Sequence, residues 1–144
     1  MAVNHTYVAL SPKRLWGLVL ARPETYDHWV VGCADIRHVD ADWPAVGSRF
    51  HHTVGFGPLR LKDHTEVQES EPDRRLVMRA KTRPLGEARV ELELTAEGSG
   101  TRVTMRERPL EGLPARLHNR VMDLALHGRN EETLRRLKEL AEHS

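Results

Sequence analysis

The chain has 144 residues, enough for one domain that buries a core without metals or disulfides. Its 22 Lys and Arg residues are balanced by 21 Asp and Glu residues, which argues against a nucleic-acid-binding protein. The single cysteine, Cys33, cannot form an intrachain disulfide, and the apolar stretches are far shorter than the roughly 20 residues of a membrane-spanning helix. We therefore expect one cytoplasmic domain, residues 1–144, without stable membrane insertion.

The N-terminal part of the chain predicts one strand and then two short helices. Residues 3–10 alternate loosely in polarity and contain residues that favour strands. Ser11 and Pro12 supply the N-cap and first turn of a helix, which ends at Pro23. Pro23 then opens a second short helix, because proline is well tolerated in a first turn.

The rest of the chain predicts a meander of strands followed by one long helix. From about Cys33 to Arg108 polarity alternates with period two, and Gly, Pro and Asp turns separate six strands. The period then returns to 3.6 for about 28 residues, which predicts a C-terminal helix. We expect its apolar stripe to pack on the dry face of the sheet, where Gly128 either allows close approach or weakens the helix. The stripe consists of Leu117, Val121, Leu124, Gly128, Leu134, Leu137 and Ala141.

This order of elements resembles the START/Bet v1-like superfamily (SRPBCC), particularly its polyketide cyclase/dehydrase and lipid-transport branch. The resemblance covers nearly the whole chain and includes the segments VALSPKRLWGLVLARPETYDHWV, EVQESEPDRRLVMRA and RNEETLRRLKELAE. It implies an α+β helix-grip fold, in which a curved antiparallel sheet of about seven strands wraps around a long C-terminal helix, with two short helices between strands 1 and 2. It also implies a cavity between sheet and helix for a lipid-like, aromatic or polyketide-derived molecule, and we expect no cofactor.

The segment RFHHTVGFGPLRLKDHTEV raises the question of which polar side chains point inward. Strand alternation places His52 on the face of Phe50 and Val54, and it places Asp63 among the apolar residues of the return strand. A two-residue turn at Gly57-Pro58 would put His52 directly opposite Asp63, whereas a four-residue loop would make them diagonal neighbours.

The sequence leaves three roles open for His52 and Asp63. His52 is a general base that Asp63 orients, as in a cyclase, dehydratase or hydrolase; the pair anchors a polar group of the ligand; or the pair is structural or partly in water. His51 and His64 are expected in solvent. Because His51 and His52 point to opposite faces, they cannot chelate one metal, and we predict no metal site.

The predicted cavity wall consists mainly of apolar and aromatic residues from the sheet, the second short helix and the long helix. Glu107 shares the face of Met105, although a solvent position at the strand end is the favoured alternative, and Arg129 is expected on the surface. The competing functions are a carrier or sensor without a reaction and a protein-interaction module with a filled core. The predicted ligand contacts are Tyr26, Trp29, Phe50, Val54, Phe56, Leu61, Met78, Ala80, Val90, Leu92, Met105, Glu107, Val121 and Leu124.

Overall fold

Seven strands form the main part of the protein. The computed structural model describes residues 1–112 and 120–144, without the side chains of Phe56 and residues 111–112. All strand pairs in the single sheet are antiparallel, and β1 and β2 lie at its two edges in the order β1-β7-β6-β5-β4-β3-β2. The strands are β1 (Ala2–Val8), β2 (Cys33–Val39), β3 (Arg49–Phe56), β4 (Leu59–Glu71), β5 (Arg75–Thr82), β6 (Gly86–Glu97) and β7 (Gly100–Gly112).

Two short helical segments connect β1 to β2, and one long helix follows the sheet. Ser11 caps the first segment through its hydroxyl oxygen, which accepts a hydrogen bond from the Arg14 N–H at 3.3 Å. Within the described residues, no helix is apolar over a length that could cross a membrane. The segments are α1 (Pro12–Leu15), which continues as π-helix over Trp16–Leu20; α2 (Tyr26–Trp29), preceded by a 3-10 turn at Pro23–Thr25; and α3 (Arg120–Glu142).

This architecture is the predicted helix-grip fold, and its β3–β4 hairpin has the first of the two registers that the sequence left open. Phe56 pairs with Leu59 across Gly57-Pro58, so the turn has two residues. His52 consequently pairs with Asp63. Gly57 has a φ of 59°, a conformation that glycine adopts without a steric penalty. The turn thus fixes which side chains of β3 and β4 share a face.

The second half of α3 anchors the helix on the sheet. Leu134, Leu137 and Ala141 are buried and belong to one apolar cluster with residues of β1, β4, β5, β6 and β7. Asn130 and Thr133, one turn earlier, are also buried. The helix of 23 residues is about 35 Å long, so this contact covers only part of its length.

The predicted apolar stripe is wrong in the first half of the helix. Val121 is 75% exposed and Leu124 is 65% exposed, and Gly128 is also exposed. The reason is geometric: at about 100° per residue, Val121 lies roughly 140° around the helix from Leu134. Leu117 lies outside the described residues. The buried positions of the helix lie on a different face from the predicted stripe, and this face places the polar residues Asn130 and Thr133 against the sheet.

This correction generates a stability prediction. We expect Leu137→Ala to lower the free energy of unfolding by about 2–5 kcal/mol, because it leaves a cavity in the core. Leu124→Ala removes the same atoms from an exposed position and should change that free energy by less than about 0.5 kcal/mol. Urea unfolding of both variants tests which face of the helix is buried. Equal losses of unfolding free energy in the two variants would contradict the assignment of Leu137 to the buried face.

Candidate functional site

A cavity of about 270 Å³ lies between the sheet and the first half of α3. Its walls come from β3, β4, β5, β6 and β7, from the loop that follows α2, and from α3. Leu126 and Arg129 are the helix residues that face it. A separate depression near the β4–β5 turn is lined mostly by charged side chains and does not touch α3. The first cavity is therefore the candidate site.

A smaller cavity of about 90 Å³ adjoins the first and extends toward the core. The two share the side chains of Tyr26, Phe50 and Ala80. Tyr26 and Phe50 meet edge to face with ring centroids 5.2 Å apart, and Trp43 packs against Phe50 at 5.0 Å. Aromatic pairs of this geometry stabilise each other beyond simple burial, so this wall is well fixed.

An ion pair between α3 and β7 borders both cavities. The Arg129 guanidinium donates to the Glu107 carboxylate at 3.1 and 3.3 Å. It also donates to the Val31 carbonyl at 3.0 and 3.2 Å, and the Val31 N–H donates to the Thr133 hydroxyl at 3.2 Å. Glu107 is only 6% exposed. These contacts join the helix, the sheet and the loop after α2 at one place.

His52 is the buried imidazole of the cavity wall. It is 4% exposed, and its ring lies 5.6 Å from that of Phe50. Burial lowers its pKa below the ordinary value of 6.5, and the positive charge of Arg37 acts in the same direction. A hydrogen bond with the His64 backbone and the charge of Asp63 oppose this shift without cancelling it. The ring is therefore neutral at neutral pH.

Asp63 faces Arg83 instead of forming a hydrogen bond with His52. One carboxylate oxygen accepts from the Arg83 guanidinium at 2.8 Å and from the His64 N–H at 2.9 Å. The other accepts from the Arg83 backbone N–H at 2.9 Å and from its guanidinium at 3.0 Å. Burial opposes ionisation, but these hydrogen bonds outweigh it and hold the pKa of the carboxyl well below its usual range. Within the described part of the chain, no hydrogen bond joins Asp63 to His52.

Most residues expected at the ligand site lie around the two cavities, with clear exceptions. Leu61 pairs with Val54 in the hairpin but lines neither cavity. Val121 and Leu124 point into solvent because of the helix phase, and Asp63 points toward Arg83. Phe56 has no described side chain. The larger cavity is lined by the expected Tyr26, Phe50, His52, Val54, Ala80 and Glu107, and the smaller adds Trp29, Met78, Val90, Leu92 and Met105.

Three expectations for single residues need correction. Arg129 is not a free surface residue, because it spans α3 and β7 at the cavity, and Glu107 is buried although it was expected more often in solvent. His64 is also only partly exposed, with 14% of its side chain accessible. The alternation of side chains in β7 places Glu107 on the inner face, and this alternation is the sequence pattern that could have predicted its burial. The cavity residues absent from the sequence-based set include Val30, Thr65, Thr82, Ala88, Leu126, Arg129 and Thr133.

The sequence pattern of one protein family, described as Activator of Hsp90 ATPase homolog 1-like protein, matches residues 9–142. The chain belongs to this family. The match confirms the resemblance to the START/Bet v1-like superfamily. A search of curated protein sequences found no match for this chain.

Across the described residues, no group of three or more His, Cys, Asp or Glu side chains is placed to hold a metal ion.

Solved structures similar to this family member share its fold at low sequence identity. Protein NE0264 from Nitrosomonas europaea has a TM-score of 0.73 and 21% identity, with 98% of this chain and 93% of that chain covered. Protein CV1439 from Chromobacterium violaceum has a TM-score of 0.72 and 13% identity, with 97% and 96% covered. The di-domain ARO/CYC StfQ from the steffimycin biosynthetic pathway has a TM-score of 0.71 and 14% identity, with 98% and 50% covered.

The neutral state of His52 generates a pH prediction. Since its pKa in the folded protein lies below 6.5, protonation favours the unfolded chain. The contribution of neutral His52 to the free energy of unfolding is complete above pH 6.5 and is lost as the pH falls through the folded-state pKa of the ring. We expect His52→Phe to reduce the loss of unfolding free energy between neutral and mildly acidic pH, measured by urea unfolding. In this variant the pH dependence of the unfolding free energy should become smaller without disappearing, because burial also lowers the pKa of His64. An unchanged pH dependence would contradict this account.

Proposed function

We propose that this protein binds a mostly apolar small molecule in the cavity between the sheet and the C-terminal helix. One observation carries the proposal: the interior holds about 270 Å³ of space whose lining is mainly apolar, with a few polar groups at fixed positions. Small-molecule sites in proteins have this character. This observation supports ligand binding over a pure protein-interaction module, for which we expect a filled core.

The size of the cavity supports a compact ligand. A buried apolar cavity of about 150 Å³ is large enough to hold benzene. The larger cavity here has a volume of about 270 Å³ and adjoins a further 90 Å³, which is enough for roughly two fused rings. Among the ligand classes expected from the sequence, aromatic and compact polyketide-derived molecules therefore fit better than long lipid chains.

The comparisons support this proposal only at the level of the fold. StfQ is described as an aromatase/cyclase, and it shares the helix-grip fold with this chain. The name of the matched family refers to activation of the Hsp90 ATPase, an interaction with another protein. We favour ligand binding for this chain because the cavity and its polar groups have no evident purpose in a module that acts only through its surface.

Acid/base catalysis in the same cavity is a second candidate function. It is favoured by the neutral imidazole of His52, which can accept a proton from a bound molecule. Asp63 does not orient the ring, since its oxygens accept hydrogen bonds from Arg83 and from the His64 N–H. The fate of a bound ligand separates the two functions: a carrier returns it unchanged, and a cyclase or dehydratase converts it.

A cavity-filling substitution tests ligand binding directly. Ala80 borders both cavities, so Ala80→Phe should place a ring in the space that the ligand needs. We expect the affinity for naphthalene, measured by fluorescence titration, to fall by at least about tenfold. Circular dichroism would establish that the variant is folded.

The matched control places the same ring on the other face of the same strand. Lys81→Phe should bind naphthalene as the natural protein does, because residue 81 alternates away from the cavity. Failure of the natural protein to bind naphthalene, or equal binding by both variants, would overturn the proposed cavity function.

A further inference from the structure

Three histidines lie side by side on the outer face of the sheet, away from the cavity. His38 of β2 pairs with His51 of β3, and His51 pairs with His64 of β4. The ring centroids of His38 and His51 are 5.8 Å apart, and those of His51 and His64 are 5.7 Å apart. We call these three side chains the imidazole row.

The ring nitrogens at one end of the imidazole row are available to a ligand. Within the part of the chain that the structure describes, no hydrogen bond or ion pair joins the His51 ring to another group, and its ring contacts are with the two flanking imidazoles. The His38 side chain is 65% exposed, and its Nε2 lies 3.6 Å from the Asp40 carboxylate. A neutral imidazole has one nitrogen with a free lone pair, and histidine is the commonest metal ligand in proteins.

The spacing of the rings suits a shared metal ion. A ligating imidazole nitrogen lies about 2.0–2.1 Å from Zn²⁺, with the ring centre about 1.1 Å behind it, so two imidazoles on one ion have centroids roughly 5–6.5 Å apart. Both spacings of the imidazole row fall within this range. Because the χ2 well of histidine is broad, a turn of each ring can direct a nitrogen toward the ion without a movement of the strands.

The surrounding charges favour one end of the row for a cation. The Asp40 carboxylate lies beside His38 and adds negative charge there. Arg49 and Lys81 instead place positive charge near His64, whose side chain is only 14% accessible. A doubly charged ion is therefore more stable, and reaches its ligands more easily, at the end of the row formed by β2 and β3.

We infer that His38 and His51 bind one divalent transition-metal ion of the kind that imidazole ligates, such as Zn²⁺ or Cu²⁺. Among the described residues, no third His, Cys, Asp or Glu side chain is placed to join them, so water completes the coordination. The sequence-based prediction of no metal site considered His51 only together with His52, which points to the other face. The bound ion joins the edge strand β2 to β3, whose pairing is interrupted by two register shifts.

Titration of the natural protein with three metal ions tests the site. We expect calorimetry to show one equivalent of bound Zn²⁺, and tighter binding of Cu²⁺, as the general order of affinities for nitrogen ligands requires. Mg²⁺ should not bind, because it prefers oxygen ligands. Zn²⁺ should also raise the urea concentration at the midpoint of unfolding, because the two imidazoles are adjacent only in the folded chain.

Single substitutions assign the ion to its ligands. Loss of a residue that merely orients a ligand weakens metal binding 10- to 100-fold, so His38→Gln and His51→Gln should each lower the Zn²⁺ affinity by at least about tenfold. The matched control is His28→Gln. His28 is also exposed and lies 3.6 Å from a carboxylate, that of Asp27, but it has no ring contact with a second imidazole among the described residues. This variant should bind Zn²⁺ as the natural protein does.

The outcomes separate this inference from the proposed cavity function. The absence of a one-equivalent Zn²⁺ site, an equal loss of affinity in His28→Gln, or Mg²⁺ binding as tight as that of Zn²⁺ would overturn the metal site. A loss in His64→Gln but not in His38→Gln would overturn the choice of ligands. His51→Gln should bind naphthalene as the natural protein does, because residue 51 lies on the face opposite the cavity.

Discussion

The ion pair of Arg129 and Glu107 is the contact on which the site depends. It joins the middle of α3 to β7 at 3.1 Å, while the apolar contact of the helix lies further along, around Leu134 and Leu137. The Arg129 side chain is 38% exposed, and ion pairs that remain in contact with water add little net stability, so we assign this pair a positional role. With the helix held by polar contacts here, and the loop at Val31 bound to the same arginine, space remains between the helix and the sheet.

The same arrangement determines what kind of molecule the space can hold. The two carboxylates at the larger cavity are matched by arginines, and the imidazole of His52 is neutral because it is buried. The interior is therefore polar at a few points without carrying a net charge. An apolar molecule gains from leaving water, whereas a charged molecule would lose its hydration next to carboxylates that already have their arginine partners.

The features that follow from short-range rules were predictable from the sequence, and those that depend on distant contacts were not. Period-two alternation predicted that His52 and Asp63 share a face, and their direct pairing was one of the two registers that the Gly57-Pro58 turn left open. The partner of Asp63 was missed because Arg83 lies 20 positions away and reaches it across the sheet. The helix face was misassigned for a different reason: at about 100° per residue Val121 does not share a face with Leu134, so the predicted stripe mixed two faces. The inward position of Arg129, by contrast, depends on contacts with groups 22 and 98 positions away.

The most direct test of the account is a crystal structure of the protein with naphthalene. We predict that its two rings lie in the cavity beside Phe50 and Ala80. Rings bound outside the cavity, on the sheet edge or the exposed face of α3, would contradict the central claim.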